Sequence, residues 1–107
     1  MTNHFRGGMS ELMRQASRLQ RKIEKTKQEL KEKETESDTD PRVKVVANGG
    51  RQLVRVTIDP ELLKAEELSL VEDMVVAAAN SALAKANTMV DEELEKVTGG
   101  LKVPGLY

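Results

Sequence analysis

Arg14, Arg18, Arg21 and Lys25 follow one another at intervals of four, three and four residues. At about 100° per helical residue they fall on one stripe about 60° wide, with Lys22 just beside it. Glu11 and Glu29 flank the stripe at its ends, and no acid interrupts it. An ordinary solvated helix face carries interleaved carboxylates four residues from its cations, and between Arg14 and Lys25 this one carries none. Aligned cations on a rigid helix suit a polyanion. They track phosphates without reading bases, so the attraction tolerates sequence and weakens with salt.

A second basic set lies in VKVVANGGRQLVRVTID, where Arg42, Lys44 and Arg55 share the face opposite the valines of an expected hairpin. If the turn is Gly49-Gly50, Arg55 lies opposite Lys44; if it is Asn48-Gly49, Arg55 lies opposite Arg42. Either register sets two cations across from each other, which is unfavourable without a neighbouring anion. Glu34, Glu36 or the acidic second half of the chain is one source of that anion; phosphate is the other. Phe5 and Tyr107 are the only aromatic residues, so binding of single strands by base stacking is disfavoured. No zinc finger or other base-reading motif is present, which leaves contact with a duplex backbone as the better nucleic-acid reading.

Other chemistries find little support. The chain has no cysteine and one histidine, His4, so disulfides, thiolate metal sites and a Ser-His-Asp arrangement are not expected. The glycine pairs at 7, 49 and 99 match no phosphate loop. DEELE (91–95) lacks the alternation and glycine of a calcium loop and reads as a solvated helix face. The expectation is a protein that is not an enzyme, with no cofactor, metal or small-molecule substrate. No apolar run approaches the ~18 residues of a membrane span, and the N-terminus lacks a secretory core. A soluble intracellular protein is expected.

The elements that must position the cations follow from periodicity. Phe5, Met9, Leu12, Ala16, Leu19, Ile23, Thr26 and Leu30 alternate by four and three, predicting a helix over 10–33 with Ser10 as N-cap and a seam nearly opposite the basic stripe. The segment 34–59 changes to period two. It predicts a hairpin with Val43, Val45, Ala47, Val54, Val56 and Ile58 on one face, a tight turn at Asn48-Gly49-Gly50, and a short preceding strand around 33–37. Asp59-Pro60 opens a turn. Ser69-x-x-Glu72 is a capping box for a helix over 69–97 with Ala78, Ala82 and Ala86 along its apolar side and Gly99-Gly100 at its end. The tail 99–107 carries a few apolar residues.

The 107 residues suit one small α+β domain, and a core so poor in aromatics favours sharing apolar surface with a second copy. The net charge of −1 hides a division. Residues 1–34 carry nine Lys/Arg against five Asp/Glu, and 42–58 carry four cations and no acid. Residues 59–107 carry four basic and ten acidic residues. A local basic surface attracts nucleic acid whatever the total.

RGGMSELMRQASRLQRKI, VKVVANGGRQLVRVTIDPELL and GGLKVPGLY, in this order and spacing, resemble the YbaB/EbfC family of bacterial nucleoid-associated proteins over essentially the whole chain. The resemblance implies an α-β-β-β-α protomer with a small antiparallel sheet and two long helices. It further implies a homodimer whose helices project, binding of double-stranded DNA with little sequence preference, and residence in the cytoplasm and nucleoid. It implies no catalytic residue and no cofactor. Arg14, within LMRQA, is the cation that the resemblance itself marks; Arg18, Arg21, Lys22 and Lys25 follow from the stripe. The second helix is acidic, and no DNA contact is carried onto it. The competing reading is a protein-interaction module whose basic stripe docks an acidic partner of the replication or recombination machinery.

Overall fold

The computed structural model describes the backbone of residues 2–100 and the side chains of residues 8–100. The readings of His4, of the Phe5 side chain and of the tail beyond Gly100 lie outside these described residues. The order is α1 (Thr2–Leu30), β1 (Glu34–Glu36), β2 (Val43–Asn48), β3 (Leu53–Ile58), α2 (Pro60–Ala65) and α3 (Leu68–Thr98). The strands form one antiparallel sheet in the order β1-β2-β3. This is the expected α+β layout, with the DPELL turn continuing into the short α2. Its N-cap is Asp59, whose carboxylate accepts the Glu61 N–H.

α3 lies across β1 and β2 because its contact face is built from alanine. Ala78, Ala82 and Ala86 are fully buried against Val43, Val45 and Ala47 of β2, with Leu62 and Val71 closing the cluster. Small side chains let the helix backbone approach the sheet, and each buried valine contributes about 1.5–3 kcal/mol. Polar contacts fix the same junction. The Thr35 hydroxyl donates to the Ala82 carbonyl at 2.9 Å. Ser81 donates to the Asp38 carboxylate at 2.9 Å, and Lys85 Nζ stands 3.2 Å from it.

α3 then outruns the sheet. Its next apolar residues, Val90 and Leu94, bury Ile23 and Leu30 of α1, with Leu19, Met89 and Val97 around them. Among the described residues of α1, only this C-terminal part is covered. Farther toward the N-terminus, Met9, Leu12 and Met13 of the seam flank are 50%, 64% and 68% exposed. The helix projects as an arm, and the molecule measures 79 × 19 × 16 Å.

Several local expectations are corrected. α1 begins at Thr2 and not at Ser10, passing through Gly7 and Gly8, and it ends at Leu30. Once its C-terminal half is fixed by packing, adding a helical residue gains a hydrogen bond for each residue ordered, and two glycines are tolerated. Leu68 starts α3 after the N-cap Glu67, which makes no side-chain capping bond, so the Ser69 box is not used. The C-terminus follows expectation: Gly99 adopts φ 66° and donates its N–H to the Glu95 carbonyl.

The hairpin differs most. Asn48 and Gln52 close its loop, the Arg51 N–H donates to the Asn48 carbonyl, and the Asn48 side chain accepts from Gly50 and Gln52. Positive φ falls on Arg51, at 60°, and not on Gly49 or Gly50. The longer loop resets the register: Val43 faces Ile58, Val45 faces Val56, and a bulge places Leu53, not Val54, opposite Ala47. The shared apolar face is real, but α3 covers its β2 side and, on β3, only Ile58 packs against the cluster. Leu53, Val54 and Val56 therefore stay 48%, 41% and 47% exposed.

Candidate nucleic-acid interface

The basic stripe is carried by α1. Arg14, Arg18, Arg21, Lys22 and Lys25 are all exposed, because Ile23 and Leu30 turn the opposite side of the helix into the Val90–Leu94 cluster. Arg18, Arg21, Lys22 and Lys25 border an open groove of about 560 Å³, whose apolar part includes Leu19 and Val97. Arg14 pairs with Glu11 at 3.1 Å, one turn earlier. Arg21 Nε donates to the Ser17 carbonyl at 3.4 Å, a contact that leaves its charge uncompensated. Among the described residues no carboxylate lies within ion-pair distance of Arg18, Arg21, Lys22 or Lys25. Four cations on one exposed helix stretch thus repel one another with no internal counter-charge, which favours an external anion.

The hairpin cations are differently situated. Arg55 stands opposite Val46, and Lys44 opposite Thr57, so no cation faces another across the strands. The reset register is the cause. Arg55 instead reaches Glu34 at 2.9 Å, Lys44 approaches Glu36 at 3.8 Å, and Arg42 forms a two-pronged contact with Asp40 at 3.0 and 2.7 Å. The Arg42 guanidinium beside it, together with the Arg42 N–H, pulls the Asp40 carboxyl down to about 2. Arg42 and Arg55 are correspondingly raised by the hydrogen bonds to their carboxylate partners. The sheet face thus supplies its own anions, mostly from β1 and the loop after it. These exposed pairs contribute little stability individually, but they lower the positive potential there.

Two features were not singled out from sequence. One is Arg51, whose guanidinium Nε donates to the Asn87 side-chain oxygen at 2.7 Å. Its place inside a run of turn residues concealed it. The other is the uncovered β3 face, since alternation alone says which side is apolar and not how far a helix extends over it. Among the described residues no group of His, Cys, Asp and Glu could hold a metal ion. None of their helices is long and apolar enough to cross a membrane.

α1 thus projects a cationic face without carboxylate partners from a small three-stranded sheet. The model of the YbaB/EbfC DNA-binding family matches residues 6–101. The chain belongs to this family. YbaB/EbfC relatives confirm the assignment along its length. A protein of Pelotomaculum thermopropionicum is 40% identical over 94% of this chain and 97% of its own. One of Acetivibrio thermocellus is 40% identical over 96% and 93%. One of Myxococcus xanthus is 42% identical over 88% and 90%. Each of the three carries the name nucleoid-associated protein. YbaB/EbfC is a DNA-binding family and not an enzyme family.

Proposed function

We propose that this YbaB/EbfC member is a nucleoid-associated protein that grips double-stranded DNA by its phosphates, with little regard to sequence, in the bacterial cytoplasm. The observation that carries this reading is the run Arg18, Arg21, Lys22 and Lys25, exposed on α1 without carboxylate partners. The whole chain acts as one such domain. Arg14 extends the run, while Arg42, Lys44 and Arg55 reach phosphate only by exchanging it for Asp40, Glu36 and Glu34.

The active form in this reading is a homodimer. β3 is an edge strand with Leu53, Val54 and Val56 uncovered along it. A second copy placed against this ribbon removes it from water and blocks the free strand edge. Two protomers joined through their sheets send out two basic arms, which can organise or bridge DNA segments and thereby affect gene expression.

The test is fluorescence anisotropy of a random-sequence duplex at about 50 and 200 mM salt. Each neutralised phosphate adds about −0.9 to the slope of log K against log salt. A steep slope, alike for unrelated sequences, supports phosphate gripping. Absence of binding at low salt overturns it and favours the acidic-partner reading, for which capture of a protein that survives nuclease treatment is the corresponding result.

A further inference from the structure

Two glycines precede Arg51, yet the left-handed conformation of the hairpin loop falls on the arginine, at φ 60°. That region suits glycine, and next asparagine or aspartate; a long side chain there is uncommon. An unfavourable backbone held by its surroundings is a reason to ask what the side chain does. Here the surroundings are identifiable. The Arg51 N–H donates to the Asn48 carbonyl, and its Nε donates to Asn87 Oδ1 on α3 at 2.7 Å.

This tether spends one of the five guanidinium N–H donors on a neutral amide. The contrast with the other hairpin cations is direct. Arg42, Lys44 and Arg55 each face a carboxylate. Arg51 does not, among the described residues, and it is exposed. Asn87 therefore aims the fork without cancelling its charge. A planar fork with free terminal N–H groups is suited to two oxygens of one phosphate.

Its location adds a second cation. The hairpin loop lies against the end of α1, where the Gly49 N–H donates to the Leu30 carbonyl at 3.0 Å. A Cβ on Gly50 would stand 3.3 Å from Lys31 Cγ. Lys31 thus lies beside Gly50, the residue before Arg51, at the elbow between arm and sheet. Lys31 follows the last residue of α1, in the turn beyond the stripe, so the elbow is a separate point of contact.

We infer that Arg51, pre-aimed by Asn87 and accompanied by Lys31, is a phosphate-binding residue at the root of each arm. The inference rests on the DNA-binding reading above and adds an anchor distinct from the α1 stripe. Because Arg51 touches phosphate directly, its charge is what matters; Asn87 is a positioning residue.

The experiment measures duplex affinity and its salt slope by anisotropy for the full-length wild type, Arg51→Gly, Arg51→Gln and Asn87→Ala, with thermal melting of each. Arg51→Gly frees the loop of its unfavourable conformation, so its melting temperature stays at or above that of the wild type. Both Arg51 variants are expected to bind about three- to tenfold more weakly, with the slope reduced by about 0.9 for each Arg51 engaged. Asn87→Ala keeps the charge, so its slope stays at the wild-type value while affinity falls less. If both Arg51 variants bind with wild-type affinity and slope, the inference is overturned and Arg51 only latches the hairpin to α3. An equal loss in Asn87→Ala and Arg51→Gln with no change of slope also overturns it. Should the wild type itself show no salt-dependent binding, the DNA-binding reading fails first.

Discussion

Gly49 lies so close under the end of α1 that a Cβ there would stand 2.2 Å from the Leu30 carbonyl oxygen, the same oxygen its N–H binds at 3.0 Å. The clash is with backbone, so no side-chain rotation can relieve it. The glycine is needed for room and not for its φ. Gly49→Ala must push the hairpin loop off the arm, and overpacking of this kind costs about 1–3 kcal/mol. A urea melt checks this, and wild-type stability in the variant would show that the loop and helix do not press together as described.

The arm itself is tested by charge. Arg14, Arg18, Arg21 and Lys25 all changed to Glu should leave helicity and oligomeric state intact, because all four are exposed. DNA affinity should fall by at least about a hundredfold on every sequence, with a shallower salt slope. Retained affinity, read by anisotropy, would move the interface to the elbow or to the hairpin cations.

Val56 and Val45 are cross-strand neighbours with different environments: Val56 is 47% exposed and Val45 fully buried. Val56→Asp should therefore convert a dimer to a folded monomer, whereas Val45→Asp should unfold the protomer by burying an unpaired charge. Light scattering coupled to gel filtration, with circular dichroism, separates the two. A Val56→Asp protein that remains dimeric would place the partner elsewhere.

Acid should weaken the fold in a defined window. Asp40 is lowered by Arg42 from 3.8 to about 2, and Asp38 is lowered by the Ser81 hydroxyl and then by Lys85. A carboxyl depressed in the folded state favours folding above its unfolded pKa, and that contribution disappears as pH falls through the folded value. Stability should thus rise between pH about 2 and about 4, and Asp40→Asn should flatten part of the rise. Urea midpoints at several pH values measure the slope; an unchanged slope in the variant would show that the Arg42 pair does not couple to folding.

Much of this fold is legible in the sequence. The four-three-four spacing of Leu19, Ile23, Thr26 and Leu30 and the four-residue spacing of Ala78, Ala82 and Ala86 each mark a real packed face, with Ile23, Leu30 and the three alanines buried. The short strand before the hairpin is present at Glu34–Glu36. Periodicity identifies a face but not its cover: Leu12 obeys the seam pattern and is 64% exposed because α3 does not reach it. Turn chemistry misled for a related reason. Asn48-Gly49-Gly50 looks like a two-residue turn, but the glycine answers to Leu30, which lies nineteen residues earlier. The resulting register removed the expected opposition of Arg55 to Lys44 or Arg42. The stripe on α1 was legible because it needs only helical geometry; Arg51 was not, since its significance depends on a dihedral angle and on Asn87.

Ala86 belongs to the cluster beneath the sheet and Val90, one turn later, to the cluster under the arm. Apart from the hairpin loop at Leu30, α3 is what the two clusters have in common. Each can therefore open by itself: α1 can detach from Val90 and Leu94 while the alanine face of α3 still holds β2. The amides of α1 should exchange with solvent through this partial opening, sooner than those of Val43 to Ala47, which need the sheet to come apart. A protein arranged this way can release and re-dock its arm without unfolding.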